Sequence, residues 1–343
     1  MSSAAASTAT SFASALNTAM SDAMENDPSV VVFGEDVGTL GGVFRITDGL
    51  TKRFGEDRCF DTPLAESGIA GTAVGMAING MRPVIEMQFD AFAYPALEQI
   101  FSHIAKMANR TRGAVRLPIV IRIPYGGGVG GVEHHCDSSE AYYAHTPGLK
   151  VFTPATVADA YLMLREAIDS EDPVVFFEPK KLYWTKESED LSALRAEYES
   201  GSGDRRVGAE ANARVAREGT DVSIISYGPS VETALKAAEV AAEDGISAEV
   251  LDLRSIVPFD DAALQSTVEK TGRAVVVAEA QGFASVASEI TARIQERCFH
   301  SLASPVLRVT GFDIPYPAPK LEEHHLPDVD RILDALDDLQ WED

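Results

Sequence analysis

Apolar, β-branched runs alternating with helical stretches predict an α/β fold built on mostly parallel sheets with helices on both faces. Three observations carry this expectation. The strand-like runs are continuously apolar, as strands buried on both faces must be. Helical stretches separate them. The alternation breaks between residues 186 and 220 and then restarts, which predicts a first domain over 1–185, a linker over 186–220 and a smaller α/β domain over 221–343.

In chain order, SFASALNTAMSDAMEND reads as an amphipathic helix and SVVVFGEDVG as a buried strand entering a turn. RPVIEMQF, LPIVIRIPY, LKVFTP and PVVFFEP read as further strands, with helices predicted over ALEQIFSHIAKMANRTR and VADAYLMLREAIDS. ESGSGDRRVGAEANAR is charged and Ser/Gly-rich and marks the linker. The second alternation predicts strands over DVSIISYG, SAEVLDLRSI, RAVVVAEA and PVLRVTG. Helices are predicted over VETALKAAEVAAEDG, DAALQSTVEKTG and VASEITARIQERC.

Length and composition fit two cores. The chain has 343 residues, 45% of them hydrophobic, and single cores stop growing near roughly 250–300 residues. No apolar run approaches the roughly 20 residues needed to span a bilayer. The N-terminal stretch lacks the basic and apolar regions of a secretory signal and the arginines of a transit peptide. Cys59, Cys136 and Cys298 have no metal spacing and suggest a reducing compartment, so a cytoplasmic location is expected. The net charge of -24, from 53 acidic and 29 basic residues spread along the chain, disfavours nucleic acid and anionic membranes as partners. It suits either an ordinary acidic cytosolic protein or a surface adapted to high salt, and the even spread favours the second.

Glu66 heads a helical stretch whose glycines and alanines at 68, 70, 71, 73, 75 and 77 leave one side narrow enough for another backbone or a planar cofactor. Two readings compete for this carboxylate. One is a helix-start residue stabilised by free N–H groups and the helix dipole. The other is a functional group, because burying a carboxylate is costly unless something binds it.

Two decoys lie nearby. Gly126, Gly128 and Gly131 satisfy G-x-G-x-x-G after a strand, but the loop runs into the polar EHHCDSSEAYY instead of an apolar helix, which argues against a dinucleotide site. A flexible loop presenting His134 and His135 is expected instead. Glu133, His134, His135, Cys136 and Asp137 include competent metal ligands, but adjacent residues on an extended segment face opposite ways and seldom converge on one ion.

FGEDVGTLGGVFRITDGLTKRFGEDRCFDTPLAESGIAGTAVGMAINGMRPVIEMQFDAF, followed by EHHCDSSEAYYAHTPGLKVFTP, DPVVFFEPKKLYW, VLDLRSIVPFD and RVTGFDIPYP, resembles the beta subunits of the thiamine-diphosphate-dependent decarboxylase component of 2-oxo acid dehydrogenase complexes, of the pyruvate and branched-chain type. The resemblance runs from about residue 29 to 327. It implies a pyrimidine-type thiamine-diphosphate-binding domain followed by a transketolase C-terminal-like domain. It also implies that Glu66 binds N1′ of the cofactor's pyrimidine and so makes the 4′-amino group basic. By the same resemblance Phe92 packs on that ring, Leu64 and Gln88 make lesser contacts, and His135 serves the reactive end. Where relatives read His-Ser-Gln, this chain has His135-Cys136-Asp137. His134 reads as a surface or supporting residue and His145 as a structural one.

The Gly-Asp-Gly segment with a later Asn pair, which holds Mg²⁺ and the diphosphate in thiamine enzymes, is missing from this sequence. The resemblance therefore implies an alpha subunit that supplies these ligands in an α₂β₂ heterotetramer, docked on a lipoyl acyltransferase core and acting on a small 2-oxo acid. It further implies a potassium site on the carbonyls of Ile119, Ala167 and Asp172. An acetoin dehydrogenase beta subunit or half of a split transketolase would share Glu66 with a different partner, and a non-catalytic scaffold would keep only the fold.

The charge yields a test. Raising KCl from about 0.1 M to 1 M shortens the screening length from about 10 Å to 3 Å, which removes most repulsion between exposed groups. The melting temperature of the purified chain should rise across that series, and a flat or falling curve contradicts adaptation to salt.

Overall fold

A computed structural model describes residues 9–201 and 212–339. Among them the chain forms strands β1 (Thr10–Ser11), β2 (Val30–Gly34), β3 (Cys59–Asp61), β4 (Arg82–Glu86), β5 (Val120–Tyr125), β6 (Lys150–Phe152), β7 (Val174–Pro179), β8 (Lys186–Glu187), β9 (Arg214–Arg217), β10 (Val222–Ser226), β11 (Ala248–Asp252), β12 (Ser255–Val257), β13 (Ala274–Gln281) and β14 (Leu307–Gly311). They assemble into a seven-stranded sheet of order β12-β6-β7-β5-β4-β2-β3, a five-stranded sheet of order β14-β13-β10-β11-β9, and a β1-β8 pair.

The continuous apolar runs become strands covered on both sides. Val30, Val32, Val84, Val120 and Phe176 pack with the Phe12–Asn26 and Val157–Asp169 helices. Their neighbours Val31, Phe33, Ile85, Ile121 and Phe177 face the opposite core, which takes in Ile69, Ala70, Ala73 and Ala77 of the Glu66–Ile78 helix. That second core continues into the five-stranded sheet through Ile225, Leu251 and Val276, so the two sheets share apolar packing.

The sheet contains one buried ionic knot. Arg122 of β5 donates to both oxygens of Glu178 on β7 at 2.7 and 2.9 Å and to Glu86 on β4 at 2.7 Å. Tyr183 adds a bond to Glu178 at 2.7 Å.

Strands β2, β3, β4, β5, β6 and β7 run parallel, and β12 is antiparallel to β6. The stretch SAEVLDLRSI, expected as one strand, is two. It forms β11 in the second sheet, turns at Arg254 with φ of 59°, and enters the first sheet as β12. The region expected as one helix over 96–112 is a 3₁₀ turn (Ala91–Ala96) containing Pro95, a π-helix (Gln99–Ile104) and a short α-helix (Met107–Arg110). Proline removes a backbone donor, and wide turns of the π type are frequent beside functional sites.

Within the segment expected as linker, 186–220, the structure has β8, the Leu191–Ser200 helix and β9, while residues 202–211 lie outside the described residues. Asp190 caps that helix, and Leu194 and Tyr198 bury against the first domain. No helix among the described residues is long and apolar enough to cross a membrane.

Candidate functional site

In open parallel sheets ligands bind outside the carboxyl ends of the strands. At that edge the chain brings together the segments leaving β2, β3, β4 and β5. Glu35 and Asp36 follow β2, Glu66 follows β3, Gln88 to Phe92 follow β4, and the loop bearing His135 follows β5.

Glu66 is the first residue of its helix, behind an Ala65 cap that offers no side-chain acceptor. It is half-buried, and Leu64 beside it is 82% exposed. Two carboxylates that sequence reasoning did not single out are buried at this edge, Asp90, which accepts from Ser139, and Glu35. Glu35 is 5% exposed, and neither of its oxygens meets a hydrogen-bond donor among the described residues. Burial first, then the charges of Glu66 and Asp36, push its pKa up to about 7. In the sequence it reads as one acid of a turn, and only the return of β3 beside β2 exposes its role. An apolar hollow of about 230 Å³ lies at the helix head between Phe33, Phe60, Pro63 and Ile69.

Gln88 donates to Asp36 at 3.0 Å, which ties the β4 exit to the β2 exit. Phe92 lies in the 3₁₀ turn that packs on the Glu66–Ile78 helix. Its ring centroid is 5.2 Å from that of His135 and 5.8 Å from that of His134, which stacks on it. Phe89, also missed from sequence, lies closer to His135 at 4.3 Å. His135 sits in a 3₁₀ turn, half-buried, with Nδ1 unpartnered. Burial first, then the neighbouring His134 and Lys180, hold its pKa below the usual value, so the imidazole is neutral near pH 7. His145 caps a different helix and is exposed.

The residues that depart from the His-Ser-Gln pattern have defined surroundings. Cys136 is buried against Gly131, and burial pushes its thiol up to about 11, so it is no nucleophile. Asp137 accepts from Tyr94 at 2.8 Å with its side chain and from the Gly126 N–H at 2.9 Å with its carbonyl. Behind them lies Lys180, fully buried with Nζ unpartnered; burial lowers its pKa, and Cys136 and Asp90 oppose that shift.

The glycine loop is held, contrary to the flexible loop expected. The Gly127 N–H donates to Glu279, and those of Gly128 and Gly130 donate to Glu322 at 2.8 and 3.1 Å. Its exposed amides, which a dinucleotide would need, already serve carboxylates of the C-terminal region. Gly127 has no room for a side chain, because a Cβ there would lie 1.8 Å from the Tyr316 hydroxyl.

The carbonyls of Ile119, Ala167 and Asp172 lie at the opposite, amino edge, before β5 and β7. They accept from the Val174 N–H, the Ser170 N–H and the Ser170 hydroxyl at 2.9, 3.3 and 2.9 Å. Among the described residues no group of three His, Cys, Asp or Glu side chains is placed to hold a metal ion.

The raised pKa of Glu35 makes a stability statement. Between its ordinary 4.5 and about 7 the folded chain retains a proton that the unfolded chain releases. The contribution of Glu35 to stability is thus complete below about 4.5 and lost as pH rises through about 7. Glu35→Gln should match wild type in melting temperature at pH 4.5 and exceed it increasingly up to a plateau above pH 7. A gap independent of pH contradicts the assignment.

Comparison with known proteins identifies both domains. Residues 8–185 match the transketolase pyrimidine-binding domain and residues 211–332 the transketolase C-terminal domain. The pyruvate dehydrogenase E1 component subunit beta of Leifsonia xyli is 51% identical over 94% of this chain and 92% of its own length. The 3-methyl-2-oxobutanoate dehydrogenase subunit beta of Mycobacterium tuberculosis is 49% identical over 94% of this chain and 90% of its own. Among solved structures, a split-gene transketolase described as an inactive beta4 tetramer superposes with a TM-score of 0.76, at 23% identity over 95% of this chain and 96% of that one, which shows the shared fold. With a carboxylate-lined strand edge and two domains of transketolase type, the chain belongs to the family of 2-oxo acid dehydrogenase E1 beta subunits.

Proposed function

We propose that this chain works with an alpha subunit in an α₂β₂ heterotetramer that decarboxylates a 2-oxo acid of the pyruvate or branched-chain type and passes the acyl group to the lipoyl group of an acyltransferase core. The carrying observation is the carboxyl edge itself, which carries Glu66, the unpartnered Glu35 and the Phe92–His135 pair. The family uses thiamine diphosphate, and the residues present fit its aminopyrimidine. Glu35 and Glu66 form an acidic pair that could hold a protonated ring nitrogen, Phe92 offers an aromatic face, and Glu35 and His135 carry buried polar atoms without a partner. When bound, the cofactor supplies an acidic carbon and a ring that accepts the electron pair released with carbon dioxide.

The chain's own residues bind and manage protons. Glu66 holds the proton at the pyrimidine nitrogen N1′, a charge-assisted bond that strengthens in a poorly hydrated site. Glu35, titrating near neutrality, sets how much negative charge stands beside Glu66. Phe92 would pack on the ring face, with Leu64 and Gln88 bordering it. His135, neutral near pH 7, donates one N–H and offers one lone pair, which suits it to steady a developing oxyanion and to pass a proton to a lipoyl sulfur.

The partnership has its own support. Leu64, Ile78 and Met81 leave a rim of exposed apolar side chains beside the glycine-bearing Glu66–Ile78 helix, a surface that suits a subunit interface. The Mg²⁺-binding segment missing from this sequence would belong to the alpha subunit. Potassium fits the amino edge, where the carbonyls of Ile119, Ala167 and Asp172 each accept one hydrogen bond and retain a lone pair. A cytoplasmic setting with high salt suits the charge.

Glu66→Gln in the co-expressed alpha–beta pair tests the central role. An amide is a poor partner for a protonated ring nitrogen, so decarboxylation of pyruvate and of branched-chain 2-oxo acids should fall far more than tenfold while assembly persists. Retention of activity within about tenfold, which is only about 1.4 kcal/mol, overturns the role.

A further inference from the structure

The carboxylate of Glu322 is 8% exposed and accepts three hydrogen bonds, from Gly128 N–H at 2.8 Å, Gly130 N–H at 3.1 Å and the Tyr316 hydroxyl at 2.7 Å. Gly126, Gly128 and Gly130 have φ of 76°, 80° and 67°, a region closed to most side chains. Alternating left-handed residues turn successive N–H groups toward one side and create a concave anion site. In many proteins such a site takes a phosphate, but here it is filled from within by a residue of the C-terminal domain.

The same segment is fastened at its other end. Gly126 N–H donates to the carbonyl of Asp137 at 2.9 Å, and Asp90, which follows Phe89, accepts from the Ser139 N–H at 2.9 Å and from its hydroxyl. The stretch from Gly131 to Cys136 is thus suspended between two clamps. His135 is the only one of its residues whose ring packs against both Phe89 and Phe92. Within the stretch, its N–H donates to Val132 O at 2.9 Å.

On the reading of His135 given above, we infer that Glu322 is a positioning residue that fixes His135 from the C-terminal domain through the glycine loop. The C-terminal domain then contributes to acyl transfer without touching substrate. Loss of the clamp frees the loop and lets the imidazole leave its place against Phe89 and Phe92.

The test uses the assembled alpha–beta pair carrying Glu322→Gln, whose amide can accept from one glycine N–H but turns a donor toward the other. Hydrogen–deuterium exchange of peptides covering 126–136 should speed at least tenfold, with other core peptides unchanged. Acyl transfer to a lipoylated domain should fall at least tenfold in kcat/KM, and decarboxylation with ferricyanide as acceptor should fall less. Because Glu322 acts through His135, the double variant Glu322→Gln/His135→Ala should lose no more than His135→Ala alone. Tyr316→Phe, which removes one donor and keeps both glycine bonds, should give the same pattern at smaller amplitude and serves if the first variant does not assemble.

Unchanged loop exchange overturns the clamp. Faster exchange with full acyl transfer, or losses that multiply in the double variant, overturn the positioning of His135. A wild-type pair that decarboxylates no 2-oxo acid overturns the reading of the site and with it the catalytic half of the inference, while the exchange result still decides whether Glu322 holds the loop.

Discussion

The site rests on Arg122. Its guanidinium joins β4, β5 and β7 just below the edge from which Gln88 to Phe92, the glycine loop and Lys180 depart. Two carboxylates share one cation, and burial raises the pKa of Glu86 despite that partner. Such an arrangement is not a source of net stability, since apolar residues of equal volume often do as well. Its value lies in register. Removing one partner strands a buried charge at a cost of about 3–5 kcal/mol, so slippage of one strand against the next is strongly opposed. The strand exits, and the groups they carry, are therefore fixed relative to one another.

Above that knot, charge is distributed unevenly. Glu35, Asp90 and Glu140 are all pushed up to about 7, chiefly by burial, while Lys180 is pushed down in the same region. Asp90 and Glu140 gather with Lys180 beside the loop that presents His135, and Glu35 stands beside Glu66. The C-terminal region closes this cluster with Glu279 and Glu322 on the loop and with Tyr227, which donates to Glu140 at 2.8 Å. The second domain is thus part of the site's construction as well as a neighbour on the chain.

How much of this was legible in the sequence follows from the range of the interactions. Local patterns announced the strands, because burial on both faces leaves a continuous apolar run, and the Gly/Ala helix behind Glu66. The resemblance supplied Phe92 and His135, which the structure brings within 5.2 Å. Glu35 was hidden because an acid next to Asp36 in a turn has no local signature of burial. The Glu322 clamp joins residues 192 and 194 positions apart, beyond any periodicity. The break at Arg254 was equally silent, since β11 and β12 read as one apolar run although they belong to different sheets. The π-helix over 99–104 reads as an ordinary helix in composition, and it packs on the Glu66–Ile78 helix.

On the function proposed above, these residues make half of a site: this chain would hold the pyrimidine end, and a partner subunit would supply the ligands for Mg²⁺ and the diphosphate. Calorimetric titration of thiamine diphosphate with Mg²⁺ into the chain alone, the alpha subunit alone and their mixture tests this division directly. Saturable binding only in the mixture, at one cofactor per alpha–beta pair, is the predicted result. Equal affinity for the chain alone, or no binding to the mixture, would contradict it.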